Sequence, residues 1–186
     1  MFDPKDTIAV TNRHLYKGDY ICQIRKIAAM QPKALILREK DLTDAEYEDL
    51  AMKVRPICEA EKVLFFVHSH ADMALRTGCE NIHLPAAELK RLSSVLSKFR
   101  RISVSCHSAE DVREAEDFGA TQIVLGTIFE TQCKPGLKGR GIDFVRGICA
   151  GTKLPVYAIG GIKPENLKEI KAAGAAGGCM MSGFVE

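Results

Sequence analysis

The sequence predicts a single α/β domain folded as a (β/α)8 TIM barrel. Three observations predict it. Eight short apolar runs, none of them alternating with polar residues, are separated by helical patterns, as expected of parallel strands covered on both faces. One unit recurs: a helix ends at a glycine and a strand follows within a few residues, at Arg76-Thr77-Gly78-Cys79, Asp117-Phe118-Gly119-Ala120 and Ala172-Ala173-Gly174-Ala175. No Gly-x-Gly-x-x-Gly follows the first strand, which weighs against the runner-up, an open doubly wound sheet. The 186 residues suit one domain and are short for this barrel, typically about 250. The last predicted strand nearly reaches Glu186, so the expected barrel lacks its final helix. An apolar stripe on strands one and eight is then uncovered, or covered by a second subunit.

The elements follow in order. Thr7 to Thr11 is the first strand. A helix pattern from Asp19 to about Met30 has Ile21, Ile24, Ile27 and Ala28 on one face, and Pro32 marks its end. Ala34 to Leu37 is strand two. Thr43 and Glu46 form a capping box that opens a helix to about Ala60, with Pro56 expected to kink or split it. Val63 to Val67 is strand three, and Ala71 to Thr77 a short helix. Asn81 to Leu84 is strand four, and Ala86 to Phe99 a helix with a basic outer face. Ile102 to Cys106 is strand five. Ser108 with Asp111 caps the next helix, which ends at Gly119. Gln122 to Leu125 is strand six, Ile142 to Cys149 a helix, Leu154 to Ile159 strand seven. Pro164 stands at an expected first helical position, with the helix running to Ala173. Gly177 to Met181 is strand eight.

Composition narrows the function classes. A hydrophobic share of 46% and a charged share of 27% are ordinary for a soluble protein. A net charge of +2 gives no argument for a nucleic-acid or anionic-membrane partner. No run approaches the roughly 20 apolar residues of a membrane span, and the polar N-terminus is not a signal peptide. Seven cysteines lie singly with no Cys-x-x-Cys, which supports neither a zinc site nor a disulfide framework. Reduced thiols in the cytoplasm are the simplest reading.

Chemistry in such barrels sits at the C-terminal ends of the strands. Gly126 to Gly141, after strand six, is too long for an ordinary turn and carries Lys134, Lys138 and Arg140 among glycines, a composition suited to an anion or to a solvated surface lid. Gly160-Gly161 and Ser182-Gly183, after strands seven and eight, form the expected phosphate cup. Arg38 and Lys40, two apart at the end of strand two, point the same way and suit an anion, or form a solvated strand end with Glu39 paired across. His68, His70 and His107 offer acid/base groups near neutral pH. His83, inside strand four, reads as structural or substrate-orienting. The histidines lack the cysteine or carboxylate company of a metal site.

Leu37-Arg38-Glu39-Lys40, His83-Leu84-Pro85, Ser105-Cys106-His107-Ser108, the Phe129-Glu130-Thr131-x-Cys133-Lys134-x-Gly136-Leu137-x-Gly139-Arg140-Gly141 loop, Ala158-Ile159-Gly160-Gly161-Ile162 and Met181-Ser182-Gly183 together resemble the thiamine phosphate synthase/TenI family, over about Thr7 to Phe184. The resemblance implies a barrel that binds a thiazole phosphate, its phosphate on Gly160, Gly161, Ser182 and Gly183. The family has two branches. Synthases join a pyrimidine pyrophosphate to the thiazole phosphate, release pyrophosphate, and need magnesium on the leaving group. Their pattern has Asn-Asp after strand three and Gly-Gln-x-Asp after strand four. This sequence has His68-Ser69 and Pro85-Ala86-Ala87-Glu88 there, and Ile36 in place of a glutamine. Arg38, Thr131 and Lys134 match pyrophosphate-binding positions.

The sequence is more similar to the TenI branch, through Leu84-Pro85 and Phe129-Glu130-Thr131-x-Cys133-Lys134. That implies a metal-independent thiazole tautomerase, an isomerase with no cofactor, with His107 as first candidate for proton transfer and His70 or His68 as second. The tautomerase's own base would fall at Thr127. The alternatives are a thiamine phosphate synthase, a transferase using Mg2+, and a non-catalytic regulatory ligand-binding barrel. The expected partners are a small phosphorylated thiazole and, for closure of the barrel, a second copy in a homodimer.

Overall fold

The computed structural model describes residues 3–131, 136 and 138–184. Eight strands run parallel: β1 (Thr7–Val10), β2 (Ala34–Leu37), β3 (Leu64–His68), β4 (Asn81–Pro85), β5 (Arg101–Cys106), β6 (Gln122–Gly126), β7 (Val156–Ile159) and β8 (Gly177–Met180). They close in sequential order, β8 pairing back onto β1 with Ile8 opposite Cys179. Closure rules out the open doubly wound sheet. The strands alternate with α1 (Tyr20–Ala29), α2 (Asp44–Ala60), α3 (Ala71–Arg76), α4 (Leu89–Leu96), α5 (Ala109–Asp117), α6 (Gly141–Gly151) and α7 (Leu167–Ala172).

The period of two along each strand divides the core into two compartments. Ile8, Val10, Ala34, Ile36, Phe66, Val124, Tyr157 and Cys179 fill the barrel interior. The alternate residues, among them Ala9, Leu35, Leu37, Val67, Ile82 and Met180, join the buried faces of the helices in a larger outer layer. A polar patch interrupts the interior between β4 and β6. Buried His83 lies with Nδ1 2.9 Å from Ser103 Oγ and Nε2 2.8 Å from Ser105 Oγ, and Gln122 donates to Ser103. Burial holds His83 well below its ordinary pKa, so it is a neutral, hydrogen-bonded ring.

Both capping boxes are present, at Thr43/Glu46 and Ser108/Asp111. The three glycines of the repeat adopt the left-handed conformation, with φ of +68°, +77° and +102° at Gly78, Gly119 and Gly174. Four expectations are corrected. α2 continues through Pro56. The carbonyl that Pro56 leaves without a donor belongs to Met52, and both residues are exposed, so water can take up the bond. Ala86–Glu88 is a 3-10 turn ahead of α4. Pro164 opens a turn rather than a helix, because Asn166 accepts from the Lys163 N–H and donates to the Gly161 carbonyl, delaying α7 to Leu167. The expected bare stripe on β1 and β8 is covered: Ala9, Met180 and Phe184 are all buried within the outer layer. A 3-10 turn, Ser182–Phe184, follows β8 and turns Phe184 inward.

Candidate functional site at the barrel mouth

The mouth is built on the ends of β2, β3 and β4. Glu39 anchors it. The peptide beyond Leu37 keeps the strand's alternation for three residues, so Glu39 is buried while Arg38 is half-buried and Lys40 exposed. The Glu39 carboxylate accepts the Thr11 hydroxyl at 2.7 Å, the Tyr20 hydroxyl at 3.0 Å and the Arg13 N–H at 3.0–3.1 Å. Thr11 in turn accepts the Arg38 N–H at 2.9 Å. Glu39 is therefore tied to the first βα loop rather than paired across its own strand end. Burial, with the Glu39 charge added, pushes the Tyr16 and Tyr20 phenols far above their ordinary range. Arg13 extends the network outward through a two-pronged pair with Asp41, 2.6 Å at each end, and this pair with His14 holds the Asp41 pKa down to about 2.

Tyr47 of α2 joins the ends of β2 and β3. Its hydroxyl donates to the Leu37 carbonyl at 2.6 Å and accepts the His68 N–H at 2.9 Å. Its ring stacks on His70, centroids 3.8 Å apart. His70 Nδ1 is 3.2 Å from Asp44. Glu39, Lys40, Tyr47, His68, Ser69, His70, Pro85 and Glu88 line an open cavity of about 230 Å3. His68 lies over His83, ring centroids 5.4 Å apart. Burial, then the charges of Arg38 and Lys40, lower the His68 pKa to about 4. His68 is thus neutral near pH 7.

His107 stands apart, after β5. Its Nδ1 is 2.5 Å from the Gly126 carbonyl, its N–H donates to Asp111, and its carbonyl accepts from Arg140, whose guanidinium lies over Phe144. A carbonyl can only accept, so Nδ1 carries a proton, and the tautomer this contact selects has its lone pair on Nε2. Gly160 and Gly161 form a left-handed turn, φ +96° and +63°, against the stem of the sixth loop: a Cβ on Gly161 would lie 2.7 Å from Phe129 Cβ. Thr127 is buried beside Gly160. Ser182 and Gly183 are exposed after β8, and Thr131 is half-buried in the sixth loop. Lys134 lies outside the described residues.

The structure thus gathers Lys40, His68 and His70 around one cavity, with Arg38 close enough to act on His68, and leaves His107 at the sixth loop. Sequence reasoning missed Tyr47, Thr11 and Tyr20. Tyr47 shares a helical face with Ala51, Val54 and Cys58, which reads as core. Only its hydroxyl, opposite two strand ends, could have marked it.

The donors present do not make a magnesium cage. Among the described residues the carboxylates that line the cavity are Glu39, engaged by its own network, and Glu88, whose two oxygens accept from Ser69 and from the cation Arg91. Among the described residues no group of three or more His, Cys, Asp or Glu side chains is placed to hold a metal ion.

Fold and site together define a (β/α)8 barrel whose mouth gathers Lys40, His68 and His70 beside the carboxylates of Glu39 and Glu88. The family model described as thiamine monophosphate synthase matches residues 7–184. A putative thiamine-phosphate synthase 2 of Aquifex aeolicus is 32% identical over 181 residues, 96% of each chain. A thiamine-phosphate synthase of Coprothermobacter proteolyticus is 32% identical over 179 residues, 95% of this chain and 85% of that one. The thiamine phosphate pyrophosphorylase of Pyrococcus furiosus superposes with a TM-score of 0.84 at 25% identity, covering 97% of this chain and 87% of that one. The chain belongs to the thiamine monophosphate synthase family. Among the described residues no helix is long and apolar enough to cross a membrane.

Proposed function

We propose that the barrel is a transferase of the thiamine-phosphate synthase type, joining a pyrimidine pyrophosphate to a thiazole phosphate and releasing pyrophosphate. The observation that carries this is the cavity bordered by Lys40, His68 and His70, with Arg38 beside it, three strands around the barrel from the Gly160-Gly161 turn. A reaction between two phosphorylated molecules needs two anion stations at one mouth. The β2 end supplies one for the diphosphate, with Thr131 of the sixth loop as a further contact. Gly160, Gly161, Ser182 and Gly183 supply the other for the thiazole phosphate. Apolar Ile36 lies in the barrel interior one alternate residue below Arg38. The names of the relatives support this transferase reading over the tautomerase first expected.

The test supplies both substrates to the purified protein and follows pyrophosphate release. Turnover with Ser182→Ala selectively raising KM for the thiazole phosphate, and Lys40→Ala selectively raising it for the diphosphate, is the expected result. Binding of both without turnover marks a non-catalytic barrel and sinks the proposal.

One observation favours a second reading, metal-independent thiazole tautomerisation. His107 presents Nε2 as a base because Gly126 fixes the other tautomer. Buried Thr127 offers no base of its own. Conversion of the thiazole carboxylate phosphate tautomer by the wild type, lost in His107→Ala, would support it; full turnover by that variant removes His107 from the role. The reading with two subunits is tested by the protein's mass in solution.

A further inference from the structure

The cavity over β2–β4 holds the wrong donors for the ion that synthases of this family place on their leaving group. Magnesium takes near-octahedral oxygen ligands, commonly one or two carboxylates plus substrate phosphates. Here Ser69 replaces the strand-three aspartate, and its hydroxyl donates to Glu88 at 3.0 Å. The other Glu88 oxygen accepts from Arg91 at 3.0 Å. The remaining cavity carboxylate, Glu39, is buried and spends its lone pairs on Thr11, Tyr20 and the Arg13 N–H. Cations take the opposite course. Lys40 lines the cavity, and Arg38 and Lys40 stand close enough to His68 to oppose its protonation.

We propose that this cavity binds pyrophosphate directly on Arg38, Lys40 and the ring N–H of His68, side-chain cations taking the place of a carboxylate-held magnesium. The identification of the anion as a diphosphate rests on the transferase reading; the direct, metal-free binding rests on the donor set alone. Guanidinium and ammonium groups form charge-assisted bonds to phosphate oxygens without an intervening ion. The neutral His68 imidazole supplies one N–H and can take up a proton as negative charge arrives. The Glu88 carboxylate at the cavity edge is engaged by the Ser69 hydroxyl and by Arg91, which offsets its charge.

Calorimetric titration of inorganic pyrophosphate into the full-length protein tests this, once in EDTA and once in excess magnesium. The expected dissociation constants agree within about twofold, and Lys40→Ala weakens binding about tenfold or more, the loss of one charge-assisted contact. Lys40 is exposed, so the variant folds; an unchanged melting curve checks that, and Lys40→Arg restores most of the affinity. The double variant His68→Asn with Ser69→Asp rebuilds the two-residue pattern of the synthases and is expected to make binding magnesium-dependent. Binding seen only with magnesium, no binding in either buffer, or wild-type affinity in Lys40→Ala would each overturn the proposal. Metal-free pyrophosphate binding with no turnover of the paired substrates overturns the transferase reading and leaves this inference standing. Turnover that requires magnesium does the reverse.

Discussion

Thr11 and Arg38 are joined across the β1–β2 seam: the Arg38 N–H donates to the Thr11 hydroxyl at 2.9 Å, and that hydroxyl donates onward to Glu39 at 2.7 Å. One buried oxygen thus fixes both the backbone of a mouth cation and the carboxylate behind it. Thr11→Val keeps the shape and removes the oxygen. It leaves the Arg38 N–H without its acceptor and Glu39 short of a donor, at a cost of about 1–3 kcal/mol. Denaturant unfolding measures the loss. Pyrophosphate affinity is expected to fall as well, because Arg38 is no longer held; an unaltered affinity would show that this tie is structural only.

His68 makes stability depend on pH in a definite direction. Its folded pKa is about 4 against an ordinary 6.5, chiefly through burial and then through Arg38 and Lys40. The unfolded chain therefore binds the proton more readily than the folded one between these values. Stability falls as pH drops from about 6.5 to about 4 and this contribution levels off below, with a full amplitude of about 3 kcal/mol for the one group. His83 acts in the same direction. Asp41, held down to about 2, loses its stabilising charge only in stronger acid, so the windows separate. His68→Asn is expected to flatten the decline between pH 6.5 and 4.5, read from unfolding midpoints at several pH values.

Gly161 and Gly119 both have positive φ, +63° and +77°, but differ in surroundings. A Cβ on Gly119 meets nothing within 4 Å, whereas one on Gly161 would lie 2.7 Å from Phe129 Cβ and 2.8 Å from the Glu130 carbonyl oxygen. Gly119→Ala is expected to cost about 1 kcal/mol of backbone strain. Gly161→Ala adds displacement of the sixth-loop stem, for about 2–4 kcal/mol in total. The unfolding free energies of the two variants give the difference, and equal values would show that the loop yields freely.

The barrel was legible because its signals recur. Continuous apolar runs in eight short strands and glycine at successive helix ends carry over directly to the closed sheet. Closure at β8 was not legible, because Phe184 is a single residue whose inward turn depends on the tertiary surface it meets. The mouth was half-legible. Arg38, Lys40, His68 and His70 sit at strand ends, where position alone nominates them. Glu39 looked like a partner for its neighbours, since nothing in the spacing announces that residues 11, 13 and 20 converge on it. His107 looked like part of the same cluster, but its ring is engaged by the carbonyl of Gly126.

Tyr47 carries the last prediction. Its hydroxyl bridges the ends of β2 and β3, donating to Leu37 and accepting from His68. Burial raises its pKa far above 10, so it stays a donor at any working pH. Tyr47→Phe preserves the ring that stacks on His70 and deletes the bridge. One buried carbonyl and one N–H lose their partner, a cost of about 1–3 kcal/mol. The residues just beyond those two strand ends are Arg38 and Ser69, and His68 is itself one of the ends. Tyr47→Phe is therefore expected to weaken metal-free pyrophosphate binding several-fold, as well as to lower the unfolding free energy. His70 keeps its stacking partner, so Tyr47→Ala should lose more affinity than Tyr47→Phe. If both variants lose stability while binding pyrophosphate like the wild type, Tyr47 belongs to the core alone and the mouth is set by the Glu39 network.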